Sequence, residues 1–201
     1  MPNAYLAPSL ARFRTSINTR WPERDHTSDG WIGDRAHQAR TSDHNKDPKT
    51  GVVRALDIDR DGVHIPTLVA AAILHPATRY VIYWKRIYHI DDLMRPKRYT
   101  GSNLHTGHVH VSIEHRSQDE NSKVAWAPVS TPVVWPTLKP GTAGTPVRQL
   151  QAYLNGHGRV LGLDGQYGQA TLTAVKWFQA KHGLEQDGWV GPKTQLALRT
   201  K

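Results

Sequence analysis

Nine residues near the middle of the chain, His105-Thr-Gly-His108-Val-His110-Val-Ser112-Ile113, decide how the N-terminal part of the protein folds. Successive side chains of an extended strand point to opposite faces, so His108, His110 and Ser112 share one face. The intervening apolar residues point to the other face, toward a core. The alternation predicts a half-buried strand over residues 108–113 that carries two imidazoles on its polar face.

A second short run, Ala55-Leu-Asp57-Ile-Asp59, alternates in the same way. It presents Asp57 and Asp59 together on the face opposite its apolar residues. Ser42-Asp43-His44 adds a further imidazole. Histidine nitrogens and carboxylate oxygens are suitable zinc ligands, and three protein ligands leave a fourth position for water. The two runs therefore predict a metal site, although the spacing does not choose between Asp57 and Asp59.

The elements around these strands indicate the fold class. Apolar residues at helical spacing after Pro8-Ser9 (Leu10, Phe13 and Ile17) predict an amphipathic first helix. Residues 65–74 predict a second, fully buried helix, and residues 80–88 are rich in β-forming side chains. Because helices and strands mix without βαβ regularity, we expect an α+β domain with a mainly antiparallel sheet.

A proline-rich stretch separates this region from the rest of the chain. Five prolines lie between residues 127 and 146, with Ser, Thr and Gly among them. Such a composition resists helix formation and favours an extended, semi-rigid spacer. We expect a catalytic domain over residues 1–126, a linker over 127–137 and a second domain over 138–201.

The second domain contains an internal repeat. Asp164-Gly-Gln-Tyr-Gly-Gln-Ala-Thr171 recurs as Asp187-Gly-Trp-Val-Gly-Pro-Lys-Thr194, and each copy reads as a turn that leads into a helix. Apolar stripes predict helices through Leu150 and through Phe178. We interpret the repeat as one supersecondary unit used twice.

Composition limits the functional classes. The formal charge of +9 favours a polyanionic partner, which includes nucleic acid, an anionic membrane surface or a bacterial wall. Cysteine is absent, so a metal must be held by histidine and carboxylate. We find neither a signal-peptide pattern nor an apolar run long enough to span a membrane. The expectation is a monomer without membrane insertion.

The N-terminal motifs resemble a known family. Ser42-x-His44, Ala55-x-Asp57 and His108-x-His110 resemble the LAS zinc peptidases, the group of D-Ala-D-Ala carboxypeptidases and murein endopeptidases with a hedgehog-like fold. The longer stretches 33–45 and 99–112 look like the version found in actinobacteriophage lysins. The resemblance implies that His44, Asp57 and His110 hold Zn²⁺, and that His108 handles a proton or stabilises the transition state.

Two features depart from the family pattern. The spacing from His44 to Asp57 is longer than usual, which predicts an extra loop at residues 47–51. Gly107 stands where some members carry a catalytic glutamate, so His108, or alternatively His105, must take that role. Arg40 or Arg35 could stabilise an oxyanion. The two further polar candidates close to the ligands are His37 and Asp59.

The C-terminal repeat, together with Leu150-Gln151 and Phe178-Gln179, resembles the three-helix peptidoglycan-binding domain of many wall hydrolases. For Tyr167 and Trp189, the aromatic residues of the two turns, we favour packing between the repeats over contact with glycan. The region 138–201 holds eight Lys or Arg against three Asp or Glu, a net +5. That charge suits an anionic wall.

Together the resemblances predict an endolysin that hydrolyses a peptide bond of peptidoglycan through zinc-activated water. It would be made in the host cytoplasm and act at the wall after release. The sequence leaves open whether it cuts as an endopeptidase or as a D-Ala-D-Ala carboxypeptidase. Two alternatives are a wall-binding protein with an inactive first domain and a Mg²⁺-dependent nuclease, although the nuclease hypothesis does not account for the C-terminal repeat. We expect no nucleic-acid partner.

Overall fold

The computed structural model describes residues 2–35, 39–130 and 133–200. Its N-terminal part mixes short strands with helices. In chain order these are β1 (Tyr5–Leu6), α1 (Pro8–Arg20), β2 (Val52–Val53), β3 (Ala55–Asp59), α2 (Ile65–Leu74), β4 (Thr78–Tyr83), β5 (Arg86–His89), β6 (Pro96–Arg98), β7 (His108–Ile113) and α3 (Ser117–Glu120).

Five of these strands form one antiparallel sheet. Its order is β3-β7-β4-β5-β6, so β7 lies between β3 and β4. In the register of β3 with β7, Asp57 lies opposite His110 and Asp59 lies opposite His108. The predicted α+β class with an antiparallel sheet is confirmed, and the sheet places the polar faces of both predicted runs side by side.

The other face of the sheet is the core of the N-terminal part. Val109, Val111 and Ile113 of β7 are fully buried, as the alternation predicted. The apolar stripe of α1 and nearly all of α2 cover this face. Trp126 completes the packing, since its ring stacks on Phe13 at a centroid distance of 4.2 Å and its Nε1 donates to the carbonyl oxygen of Ser9 at 3.0 Å.

The C-terminal part contains α4 (Thr145–Gly156), α5 (Gln169–Lys181) and α6 (Pro192–Thr200). One buried glutamine organises each copy of the repeat. Gln179 Nε2 donates to Asp187 Oδ1 at 2.7 Å and to the Trp189 carbonyl at 2.9 Å, while its Oε1 accepts from Gly188 N at 2.9 Å. Gln151 makes the equivalent bonds to Asp164, Gln166 and Gly165. The repeated motif therefore encodes a turn closed by a side-chain amide.

The two parts of the chain pack directly on each other. Helix α2 lies against α4, and Gly156 approaches Pro66 so closely that an added Cβ would lie 2.6 Å from the Pro66 Cα. Arg86 Nη1 donates to the Gly158 carbonyl at 2.8 Å, and Leu163 N donates to the Leu93 carbonyl at 3.0 Å. Buried residues of both parts belong to one continuous apolar cluster.

The described portion of the proline-rich stretch also packs against the C-terminal helices. Trp135 is buried, its Nε1 donates to Gln149 Oε1 at 2.8 Å, and its ring meets Tyr153 edge-on. The Val133 carbonyl accepts from Arg199. In the residues that the structure describes, no helix combines the length and apolar character needed to cross a membrane.

Candidate metal centre

Strands β3 and β7 bring the first two predicted ligands together. Asp57 Oδ1 lies 2.8 Å from His110 Nδ1, as the cross-strand register requires. His44 lies in a loop. Its Nε2 is 3.1 Å from Asp57 Oδ2 and 3.2 Å from His110 Nδ1. Three side chains from three separate segments thus converge, and Asp57 directs one carboxylate oxygen to each imidazole.

The donor set fits a metal ion. A tetrahedral zinc site with ligand bonds of about 2.0–2.1 Å separates its ligand atoms by about 3.3 Å. The separation of the two imidazole nitrogens, 3.2 Å, is close to that value, and Asp57 places Oδ1 at 2.8 Å from His110 and Oδ2 at 3.1 Å from His44. One ligand atom from each of the three residues can therefore share an ion.

The ionisation of Asp57 suits metal binding. Burial favours the neutral acid of Asp57, but hydrogen bonds from His110 and His44 outweigh it and lower its pKa well below the usual range. Burial lowers the pKa of His44, but the hydrogen bond to Asp57 and the negative charges of Asp57 and Asp43 together outweigh it and raise the pKa, so a metal ion would displace a proton from this imidazole. A carboxylate that stays ionised is available as a ligand at any neutral pH.

The surrounding backbone and side chains fix the orientation of these ligands. Gly30 N donates to the Asp57 carbonyl at 3.2 Å, and Gly33 N donates to the His44 carbonyl at 2.8 Å. On β7, Ser112 Oγ lies 3.1 Å from His110 Nε2, which leaves Nδ1 facing the centre. Such outer contacts hold a ligating imidazole in one orientation.

Asp59 is directed to a different task from Asp57. Its Oδ2 accepts from Ser28 N at 2.9 Å and from the Ser28 hydroxyl, and its Oδ1 accepts from Asp61 N at 2.9 Å. Oδ2 therefore holds the loop around residue 28, and Oδ1 holds the turn after β3. Asp57 faces the two imidazoles, whereas Asp59 is engaged by the backbone and by Ser28.

His105 and His108 lie on the other side of Asp57. With Asp57 they form a second group of donor atoms close enough to hold an ion, and the His105 and His108 rings are 4.9 Å apart. Burial lowers the pKa of both, to about 4 for His105, where nearby His110 and His108 add to the effect. Both imidazoles are therefore neutral at physiological pH and can accept a proton.

The predicted arginines lie outside this cluster of side chains. Arg40 and Arg35 are both exposed. The Arg40 backbone carbonyl accepts a hydrogen bond from Asn45 Nδ2 at 2.7 Å. Neither guanidinium makes an ion pair with the cluster among the described residues. His37 falls outside the described residues. The oxyanion role of Arg40 stays a prediction.

Sequence reasoning missed a set of groups behind His44. Asp43 Oδ1 lies 2.7 Å from His115 Nε2, and its Oδ2 lies 3.7 Å from Arg79. The Tyr80 ring stacks on His110 at a centroid distance of 5.4 Å, and burial raises the Tyr80 pKa above its normal range. Arg79 and Tyr80 reach these positions because β4 pairs with β7. No local sequence pattern predicts that pairing.

The aromatic residues of the two C-terminal turns behave differently. Tyr167 is buried and its hydroxyl donates to the Gly188 carbonyl at 2.6 Å, so the predicted packing between repeats is confirmed for this residue. Trp189 is half exposed and lies 5.0 Å below the Lys139 ammonium. For Trp189 the packing between repeats stays a prediction.

Comparison with known proteins identifies the C-terminal part. Residues 143–198 match the family described as "Putative peptidoglycan binding domain". This part of the chain is a peptidoglycan-binding domain. The match coincides with α4, α5 and α6 and with both copies of the glutamine-closed turn.

Relatives of this peptidoglycan-binding domain occur in wall hydrolases. The chain is 48% identical over 61 residues to a "Zinc D-Ala-D-Ala carboxypeptidase" of Streptomyces albus G, a match of 29% of this chain and 24% of that protein. It is 44% identical over 64 residues to a "Probable N-acetylmuramoyl-L-alanine amidase" of Bacillus licheniformis, covering 30% and 18%. The chain thus spans about a quarter or less of these relatives.

A solved structure gives a similar partial match. The crystal structure of a Burkholderia AP3 phage endolysin is 46% identical over 32% of this chain and 25% of that chain, with a TM-score of 0.32. The proteins that share the binding domain are thus named as different wall hydrolases.

Proposed function

We propose that the protein is a zinc-dependent peptidoglycan peptidase in which His44, Asp57 and His110 hold the metal. The observation that carries the proposal is the convergence of these three side chains, with donor atoms 2.8–3.2 Å apart, in a chain that also contains a peptidoglycan-binding domain. When bound at such a site, zinc acidifies water to a pKa of about 7 and polarises an amide carbonyl.

His108 is the residue of this chain best placed to handle a proton beside that centre. Its Nε2 is buried, makes no hydrogen bond within the described part of the chain, and lies 3.8 Å from Asp57 Oδ1. Because burial lowers its pKa, the imidazole is neutral and can accept a proton. A neutral base within reach of the reacting centre is what amide hydrolysis requires.

His105 forms the adjoining wall of the site and gives a second candidate for proton transfer. Its Nδ1 is likewise buried without a hydrogen-bond partner among the described residues, and its ring is 5.3 Å from that of His110. His105 adopts a left-handed backbone conformation with φ of 48°. A non-glycine residue in that region is strained, and such strain concentrates at functional sites.

The binding domain would hold the enzyme on its substrate. Direct packing of α2 on α4 fixes the wall-binding part next to the peptidase part, and a held substrate experiences a higher effective concentration of enzyme. The net +5 of residues 138–201 adds attraction to an anionic wall. We propose a protein that acts at the cell wall as a monomer with the domain bounds given above.

The proposal is tested by the products released from purified peptidoglycan. Mass spectrometry of the muropeptides, with and without zinc, identifies the bond that is cut and separates an endopeptidase from a D-Ala-D-Ala carboxypeptidase. Zinc-dependent appearance of new peptide termini supports the proposal. Unchanged muropeptides with normal binding to walls would instead identify a wall-binding protein with an inactive first domain.

A further inference from the structure

A groove runs along the junction of the two parts of the chain, and none of the three candidate metal ligands lines it. It has a volume of about 620 Å³, and its N-terminal wall includes Arg60, Tyr83 and Trp84. The end of α4 and the two residues after it, 155–158, form the opposite wall. Because both parts contribute, the groove exists only while α2 and α4 remain packed.

The most unusual residue in this groove is Trp84. It occupies the first position of the two-residue turn between β4 and β5, where Trp84 and Lys85 have φ of 48° and 63°. Turns with two positive φ values normally use asparagine and glycine. A bulky residue there is a conformational outlier, and an outlier of this kind points to a function that offsets its strain.

The turn is attached to the segment that carries the two neutral histidines. Trp84 N donates to the His105 carbonyl at 3.0 Å, and Lys85 N donates to the Leu104 carbonyl at 3.0 Å. Arg60 Nη1 donates to the Thr106 carbonyl at 2.9 Å, which ties a second residue of the same wall to that segment. The groove therefore begins at the rim of the candidate metal centre.

The chemistry of the surface suits a saccharide. Trp84 is 51% exposed, and the Arg60 guanidinium lies over its ring at 5.5 Å. The Tyr83 ring is 6.1 Å away at an angle of 43°. An indole offers a flat apolar surface to the C–H face of a sugar ring, and guanidinium donors suit hydroxyl and acetamido oxygens.

We propose that this groove binds the glycan strand of peptidoglycan while the attached stem peptide lies at the metal centre. The proposal rests on the proposed function, because it assigns the sugar part of the same substrate. Trp84 is then a residue that selects peptide still attached to glycan over free peptide. The packed domains supply both walls, so binding and cleavage use one continuous surface.

The test uses Trp84→Gly in the full chain, with Lys85→Gly as the matched control. Glycine relieves the positive φ at either position, so both variants fold, and only the first removes the ring. The measured quantity is the ratio of hydrolysis rates on intact peptidoglycan and on a soluble, sugar-free stem peptide. We expect this ratio to fall about tenfold in Trp84→Gly and to stay unchanged in Lys85→Gly.

An unchanged ratio in Trp84→Gly, whether both rates persist or both fall together, overturns the proposal. Direct binding of an N-acetylglucosamine tetramer separates this result from a failure of the peptidase proposal, because it needs no catalysis. We expect Trp84→Gly to bind the tetramer about tenfold more weakly than the Lys85→Gly control. Equal affinities of the two variants would overturn the groove even if the protein proved to be a peptidase.

Discussion

Asp57 and His110 lie directly opposite each other on neighbouring antiparallel strands, with Asp57 Oδ1 2.8 Å from His110 Nδ1. This pairing is fixed by the sheet register, which also buries the alternate apolar residues of both strands. A slip of one residue would turn every one of these side chains to the other face. The candidate metal centre is therefore built on the most constrained part of the fold.

Asp57→Asn tests which aspartate is the ligand. We expect it to weaken zinc binding by more than the roughly 10–100-fold that is typical for loss of an outer-shell partner, because it removes a ligand charge. Asp59→Asn, on the same face of the same strand, is the control and should retain zinc. Competition with a chromogenic chelator measures both. Equal losses in the two variants would contradict the assignment.

Gly156→Ala tests the packing of the two parts. Alanine in a helix is normally more favourable than glycine, but here the added Cβ would lie 2.6 Å from the Pro66 Cα. We expect a destabilisation of about 1–3 kcal/mol from this overpacking. In Gly168→Ala no atom lies within 4 Å of the added Cβ, so little change is expected. Denaturation in guanidinium measures both, and a stabilised Gly156→Ala would show that the helices do not pack.

Gln179→Leu tests the closure of the repeated turn. The amide makes four hydrogen bonds that leucine cannot replace, so their partners at residues 187–189 and Thr194 lose them. Unsatisfied buried groups cost about 1–3 kcal/mol, and we expect a loss of that size in the free energy of unfolding. The exposed Gln169→Leu is the control. An unaffected stability in Gln179→Leu would mean that the network contributes nothing.

The buried His75 predicts a dependence of stability on pH. Its ring stacks on Trp126, its Nε2 bonds the Val124 carbonyl, and its Nδ1 accepts from Ala77 N. Burial lowers its pKa from 6.5 to about 4. Between pH 6.5 and 4 the unfolded chain binds the proton more strongly, so the stability contributed by His75 is complete above pH 6.5 and decreases toward pH 4.

Comparison with His75→Gln isolates this contribution, because the other titrating groups are common to both proteins. The free energy of unfolding should decrease more steeply in the unsubstituted protein between pH 6.5 and 4, by up to about 1.4 kcal/mol per pH unit. Urea denaturation at several pH values gives both curves. Parallel curves across this range would show that His75 is not held neutral.

Much of the fold could be predicted because local patterns encode it. Alternation placed the core residues of β3 and β7, and the repeated Asp-Gly turns indicated a helical unit used twice. Contacts between residues that are distant in sequence could not be predicted, because no local pattern encodes them. The engagement of Asp59 depends on Ser28, which is 31 positions away, and the close approach of Gly156 to Pro66 depends on how two helices dock.

We propose above that the chain cuts peptide bonds in peptidoglycan through a metal held by His110 and its partners. The most direct test is the release of new amino groups from purified walls by the zinc-loaded protein and by His110→Ala, with Asp59→Asn as the folded control. We predict steady release by the unsubstituted protein and the control, and a loss of at least about 100-fold in His110→Ala. Undiminished release by His110→Ala would contradict the account.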